Sequence, residues 1–188
     1  MTLEDFAVRV IEAADAEKVN FMAVGAIAAG AYGVPRSTRD LDLLVSVEVP
    51  THVEALIRRL SEFVTFEEQI SFDTLTWGRR HVGTGQSSPP FKVELFETFD
   101  DPFVVSEFAR RQRVFVPVLR RETWLPTPED VVVQKLRWGR NKDLDDARDV
   151  LAVQGPETLD MAYIEHWCAQ HRTLERLTAA LDGIPPLD

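Results

Sequence analysis

Apolar positions recur at helical spacing from the start of the chain. Phe6, Val10, Ile11 and Ala14 share one stripe of a helix expected over residues 3–18, with Thr2 as its N-cap and Asp5 three residues on. Phe21–Val24 reads as a short apolar strand. The small-residue run from Gly25 to Ala31 suits a helix packed very closely on a sheet, and Gly33 and Pro35 end it. Leu41–Val47 is a second strand, apolar except at Asp42 and Ser46. An amphipathic helix over Pro50–Phe63 turns Val53, Leu56, Ile57 and Leu60 inward. Ile70–Val82 alternates as a strand, Gly83–Pro90 reads as a mobile Gly/Ser/Pro loop, and Phe91–Phe96 is a core-type strand interrupted by Glu94. Arg113–Leu125 accommodates one or two further strands. From Thr127 the character changes: a Thr cap, Pro128 in the first turn and the acids Glu129 and Asp130 open a region that stays helical to Leu181. The pattern predicts an α/β (α+β) fold, with a mixed sheet in residues 1–126 and a helical region in 127–188. The two halves are small enough to share one core.

Composition narrows the class. The 188 residues are 45% hydrophobic, enough for an ordinary core, and no apolar run is long enough to span a bilayer. The first residues lack the basic start and apolar stretch of a signal peptide. A single cysteine, Cys168, cannot form an internal disulfide, which fits a reducing compartment; a cytoplasmic protein without a membrane partner is expected. Cys168 with His171 could in principle form a nucleophile pair, but a small hydrophobe packed in a helix is the favoured reading. The net charge of −10 repels nucleic acid at long range and leaves room for a local basic site, because Arg36, Arg39, Arg79, Arg80, Lys135, Arg137, Arg140 and Lys142 gather around the motifs below.

The chemistry concentrates in Phe21-Met22-Ala23-Val24-Gly25-Ala26, then thirteen residues, then Asp40-Leu41-Asp42-Leu43-Leu44-Val45. Side chains two apart on a strand point to one face, so Asp40 and Asp42 stand side by side and repel unless a cation lies between them. Magnesium takes such hard oxygen ligands together with triphosphate oxygens and water. Gly25, between a strand and a helix, lets backbone N–H groups approach phosphate oxygens at a helix N-terminus. Asp-x-Asp by itself is common. Its apolar flanks are the discriminating feature, because a strand this apolar does not carry two acids without a use for them. Glu94 is likewise the one acid inside an apolar strand pattern, against the alternative of an edge-strand residue facing water.

These residues resemble the nucleotidyltransferases built on the polymerase-beta-like core, whose signature is a hydrophobic residue, Gly, Gly or Ser, a short helix, and Asp-hydrophobic-Asp/Glu-hydrophobic. The string Gly33-Val34-Pro35-Arg36-Ser37-Thr38-Arg39-Asp40-Leu41-Asp42 is especially similar to the minimal members, among them toxins of type IV abortive-infection toxin–antitoxin systems. The similarity covers residues from about 20 to 155. It implies a nucleotidyltransferase core, magnesium (or manganese) on Asp40, Asp42 and Glu94, and nucleotide contacts from Gly25, Ala26, Arg36, Ser37 and Thr38. Glu94 would be the third carboxylate, as metal ligand or as general base for the acceptor hydroxyl. The helical stretch Pro128 to Asp146 also resembles those enzymes, which implies that Lys135 contacts the triphosphate and that Asp143 or Asp146 supports the site. Ala26 stands where the signature has its second Gly or Ser, and Glu94 where Asp is more usual.

The leading expectation is therefore a magnesium-dependent transfer of NMP from a nucleoside triphosphate to a hydroxyl on tRNA, protein or a small molecule, with the toxin of a toxin–antitoxin pair as one such role. Two alternatives stand beside it: an antibiotic-modifying nucleotidyltransferase, whose cationic substrate would suit an acidic surface, and an inactive nucleotide-binding or antitoxin-like module.

Overall fold

The computed structural model describes residues 1–76 and 78–185. Helix α1 (Leu3–Ala16) is opened by a reciprocal cap: Thr2 Oγ1 accepts from the Asp5 amide at 3.1 Å and the Asp5 carboxylate accepts from the Thr2 amide at 2.9 Å. There follow β1 (Phe21–Ala23), α2 (Gly25–Tyr32), β2 (Asp40–Val45), α3 (Pro50–Leu60), β3 (Val64–Phe66), β4 (Ser71–Phe72), β5 (Arg79–Gly85) and β6 (Lys92–Glu97). The second half runs through α4 (Pro102–Arg110), β7 (Gln112–Val116), a 3₁₀ turn (Pro117–Leu119), β8 (Arg121–Leu125), α5 (Pro128–Trp138), α6 (Asn141–Gln154), α7 (Met161–His171) and α8 (Leu174–Asp182). No helix among the described residues is long and apolar enough to cross a membrane.

The main sheet has the order β1-β2-β6-β5-β3, with β4 added to β5; β2 and β6 are parallel and the other pairs antiparallel. The register sets Asp40 beside Lys92, Asp42 beside Glu94 and Leu44 beside Phe96. Alternation then sorts the two strands. Leu41, Leu43, Val45, Val93 and Leu95 enter the main core, each contributing roughly 2 kcal/mol by burial. Leu44 faces the other way, into a smaller cluster with Met22 and Val104 that Phe96 and Phe99 border. The sheet face carrying Asp40 and Asp42 therefore has only a partial apolar cover, and a cleft opens there.

The main core runs without a break from Phe6 through the sheet to Leu177 and Ala180, so the helical region expected after residue 126 packs into the same interior. Its approach is close. A Cβ on Gly33 would lie 2.9 Å from the Val150 amide nitrogen and 3.0 Å from the Asp149 carbonyl carbon, so glycine lets α6 rest directly on the end of α2.

The structure departs from the sequence pattern in several places. The strand expected over Ile70–Val82 is broken into β4 and β5, because Asp73 Oδ1 accepts from the amides of Leu75 (2.9 Å) and Thr76 (2.6 Å) and folds residues 74–76 into a turn. Gly83–Gly85, expected as part of a mobile loop, continues β5 instead, where the ring of Phe66 and the side chain of Val64 fill the space above Gly83. Residues 112–125 form a separate two-stranded sheet. Helix α4, unexpected from the apolar pattern, begins at Asp101-Pro102, where Asp101 Oδ1 accepts from the amides of Phe103 (2.9 Å) and Val104 (3.1 Å).

Candidate active site

A cavity of about 290 Å³ lies on the open face of β2 and β6, at the lower end of the range for small-molecule sites. Of the site residues expected from the sequence, Gly25, Asp40, Asp42, Glu94, Lys135 and Asp143 line it, together with Arg79, Arg80, Arg140 and Lys142 of the basic group. Gly25 has φ +62°, a left-handed conformation that favours glycine, and a Cβ there would collide with the Asp42 carboxylate. Glycine is required at this position for both reasons, and α2 starts beside the carboxylate pair as a result. The Val24 amide donates to the Asp42 carbonyl at 2.9 Å, fixing the end of β1 against β2.

Asp42 sits deepest. Burial, with the charges of Glu94 and Asp40 adding to it, pushes its carboxyl up to about 7. Lys135 and Lys142 oppose the shift without cancelling it. Three carboxylates thus share one end of the cleft with too little positive charge to balance them. Hard oxygen donors in this relation suit magnesium. The donors are not converged as they stand: among the described residues no three acidic, His or Cys side chains already form a metal cage. One reason is visible at Glu94, whose carboxylate accepts from Arg80 Nη1 at 3.2 Å. Arg80 lies on the neighbouring β5 and holds Glu94 in this position.

The opposite wall is basic and belongs to the helices. Lys135 Nζ donates to Asp146 at 2.7 Å and to Asp143 at 3.2 Å. Arg36 grips Asp146 with two bonds, at 2.8 and 3.1 Å, and Arg140 grips Asp143 in the same bidentate manner. Three cations, of which only Lys135 is buried, against two buried anions leave this network one positive charge in excess. The Lys135 ammonium, for which the resemblance implies a triphosphate contact, is bonded to Asp143 and Asp146 of α6 and lines the cleft. Arg36 is tied down and draws the segment before β2 onto α6. Asp146 acts behind the cleft wall through Arg36 and Lys135. Ala26, Arg36 and Thr38 border a separate shallow groove, and Ser37 is exposed. Thr38 Oγ1 accepts from the Asp40 amide at 3.1 Å, so this hydroxyl caps the start of β2.

Glu97, at the end of β6, is largely covered and bonded to His81 at 2.7 Å, with Arg79 at 3.4 Å. Cys168 is buried, and burial raises its thiol pKa, which suits packing and not nucleophilic attack. Sequence reasoning missed Glu107, Gln134 and Trp138 as cleft residues, and named Arg80 only as one of the basic residues around the motifs. The signal for Glu107 was present: it lies on the α4 stripe with Phe103 and Val104, an acid inside an apolar face in the same way as Glu94.

No family model matches the sequence, and no curated protein matches it. Known structures do match the fold. A crystal structure of ANT(2'')-Ia in complex with adenylyl-2''-tobramycin superposes with a TM-score of 0.62 at 15% identity, covering 93% of this chain and 99% of that one. The solution structure of the antibiotic-resistance factor ANT(2'')-Ia gives 0.61 at 16% identity, over 94% of each chain. An antigenic nucleotidyltransferase-like protein from Paracoccidioides brasiliensis gives 0.58 at 17% identity, over 98% of this chain and 94% of that one.

Proposed function

Starting from a chain with the nucleotidyltransferase fold, we propose that it transfers a nucleoside monophosphate from a nucleoside triphosphate to a hydroxyl group, with pyrophosphate leaving. The observation that carries this reading is the in-register pair Asp42 and Glu94 on parallel strands, joined by Asp40 on the same cleft and faced by Lys135. Magnesium, or manganese, bound to Asp40, Asp42 and Glu94 would supply charge neutralisation for the triphosphate. The chain's own groups do the rest. Backbone N–H groups of Gly25 and Ala26, at the start of α2, donate to phosphate oxygens. Glu94, once parted from Arg80, accepts the proton of the acceptor hydroxyl as its oxygen bonds to the α-phosphorus. The bond from that phosphorus to the bridging oxygen breaks, and Lys135, Arg140 and Lys142 offset the charge of the departing pyrophosphate.

The acceptor is an RNA, a protein or a small molecule. A toxin role with a cognate antitoxin rests on the Gly33–Asp42 string. An antibiotic-modifying role has separate support in the similarity, over nearly the whole of both chains, to a protein solved with adenylyl-2''-tobramycin. The test is incubation with each α-labelled triphosphate and magnesium, against total RNA, a protein extract and amine-bearing polyols. Label should enter one acceptor class, with incorporation at least about a hundredfold lower for Asp42→Asn. No magnesium-dependent labelling from any triphosphate, with no triphosphate binding by calorimetry, would leave only a non-catalytic module.

A further inference from the structure

The guanidinium groups of the cleft are not held alike. Arg36 and Arg140 each grip a carboxylate with two bonds. Arg80 makes one, from Nη1 to Glu94 at 3.2 Å, and its Nε is buried with no acceptor among the described residues. Strand pairing accounts for the contact. Arg80 of β5 lies opposite Phe96 and Val82 lies opposite Glu94, so Arg80 and Glu94 are diagonal neighbours on one face. The guanidinium carbon stands 6.0 Å from the centre of the Phe96 ring, at the outer limit of a cation–π contact, so the ring holds it weakly. Among the described residues Arg80 is nevertheless the one cation in ion-pair contact with any of Asp40, Asp42 and Glu94. A buried donor without an acceptor is costly, and a guanidinium fork matches a phosphate as well as a carboxylate. Glu94 satisfies Arg80 only in part, and an anion with more oxygens in the same cavity satisfies it better.

We propose that Arg80 is a positioning residue that makes metal and triphosphate bind together. In the chain by itself it holds Glu94 towards β5, and a divalent cation arriving alone competes with it for that carboxylate. A triphosphate arriving with the cation offers the guanidinium its phosphate oxygens. Arg80 then turns from Glu94 to the nucleotide, and Glu94 turns to the metal. Each ligand raises the affinity for the other by the same factor. The proposal rests on the transfer reading above for the identity of the two ligands and deepens it by giving the regulation of their entry.

The test uses the full chain, manganese as the metal, and inorganic tripolyphosphate as a probe without base or sugar. Manganese binding is read by electron paramagnetic resonance and magnesium–tripolyphosphate binding by calorimetry. Arg80→Gln should bind manganese alone at least about tenfold more tightly than the wild type, and magnesium–tripolyphosphate at least about tenfold less tightly. Arg79→Gln removes the same charge from the same cavity, where Arg79 reaches Glu97 and not Glu94, and should change either affinity by less than about threefold. In NMR the Arg80 Nε–H resonance should move when magnesium–tripolyphosphate is added. Glu94→Gln is a second variant that frees Arg80 from the other side. Metal-free tripolyphosphate should bind it at least about fivefold more tightly than the wild type, and more tightly than Asp40→Asn, which removes an equal charge without touching Arg80. Unchanged manganese affinity in Arg80→Gln, equal shifts in Arg79→Gln, or an Arg80 resonance that tripolyphosphate leaves in place would overturn the coupling. Such a result, beside magnesium–tripolyphosphate binding by the wild type, leaves the transfer reading standing. Opposite shifts in Arg80→Gln without labelling of any acceptor support the coupling and count against transfer. No binding of either probe by the wild type overturns both.

Discussion

Asp42 is the residue on which stability and chemistry pull in opposite directions. Its carboxyl titrates at about 7 in the folded chain, whereas an exposed Asp titrates near 4. Below the unfolded value both states are protonated and there is no penalty. As the pH rises through this interval the unfolded chain gives up its proton first, so the fold loses stability until about pH 7, and the loss is complete above that. Asp42→Asn should therefore melt higher than the wild type at pH 8, by roughly 1–4 kcal/mol, with the difference vanishing near pH 4. Calorimetric melts across that range, without added metal, measure it; a variant that melts lower at pH 8 contradicts the charge argument. Gly25 is the companion case. Gly25→Ala adds a methyl where the Asp42 carboxylate stands and asks an alanine to hold a left-handed conformation. It should lower stability by about 1–2 kcal/mol and weaken magnesium–triphosphate binding by a larger factor than stability alone explains, as read by titration calorimetry.

At the scale of elements, the basic network around buried Asp143, Asp146 and Lys135 joins α5, α6 and the segment before β2. Asp146→Asn removes one of its two anions and leaves Arg36 and Lys135 sharing less negative charge, so it should destabilise the fold by roughly 2–4 kcal/mol in chemical denaturation. The carboxylate strand was readable in the sequence because its alternation is local: Leu41 and Leu43 face the core, so Asp40 and Asp42 have to face away. Glu94 was readable by the same rule. The partnership of β2 with β6 was not, because register is set by tertiary pairing. Lys135 was read correctly as a lysine on an apolar helix, but its nearest anions turned out to lie on α6, which folds back after Gly139 at φ +67°. Helix α4 was missed because Val105 at 57% exposure and the Asp101-Pro102 start blur a short apolar stripe; the cap itself was the better guide. Asp73 split an expected strand for a comparable reason, since a single side chain accepting two backbone amides outweighs the alternation around it.

At the scale of the whole molecule, the sheet half and the helical half draw on one interior. Val131, Leu136, Val150, Leu151 and Ile164 sit in the same cluster as Phe6, Leu41 and Leu95. The full chain should unfold in one cooperative transition, with circular dichroism and intrinsic fluorescence coinciding, and residues 1–126 alone should show no dispersed amide spectrum. Two resolved transitions would mean that the halves are separate units. The pairing at the centre of the sheet has another consequence, one of timing. Asp42 and Glu94 lie side by side, but the chain between them is long (94 − 42 = 52 positions). During synthesis the first two acids emerge with no partner strand, and the third arrives only after a hairpin, a turn and a helix have been made. Closing so large a loop is slow, and it brings like charges together at its last step. On the proposed reading, metal and triphosphate would grip only what has already closed. Their hold would then act on how quickly the centre comes apart and leave its rate of assembly alone, so that nucleotide should lengthen the life of the finished chain without hastening its making.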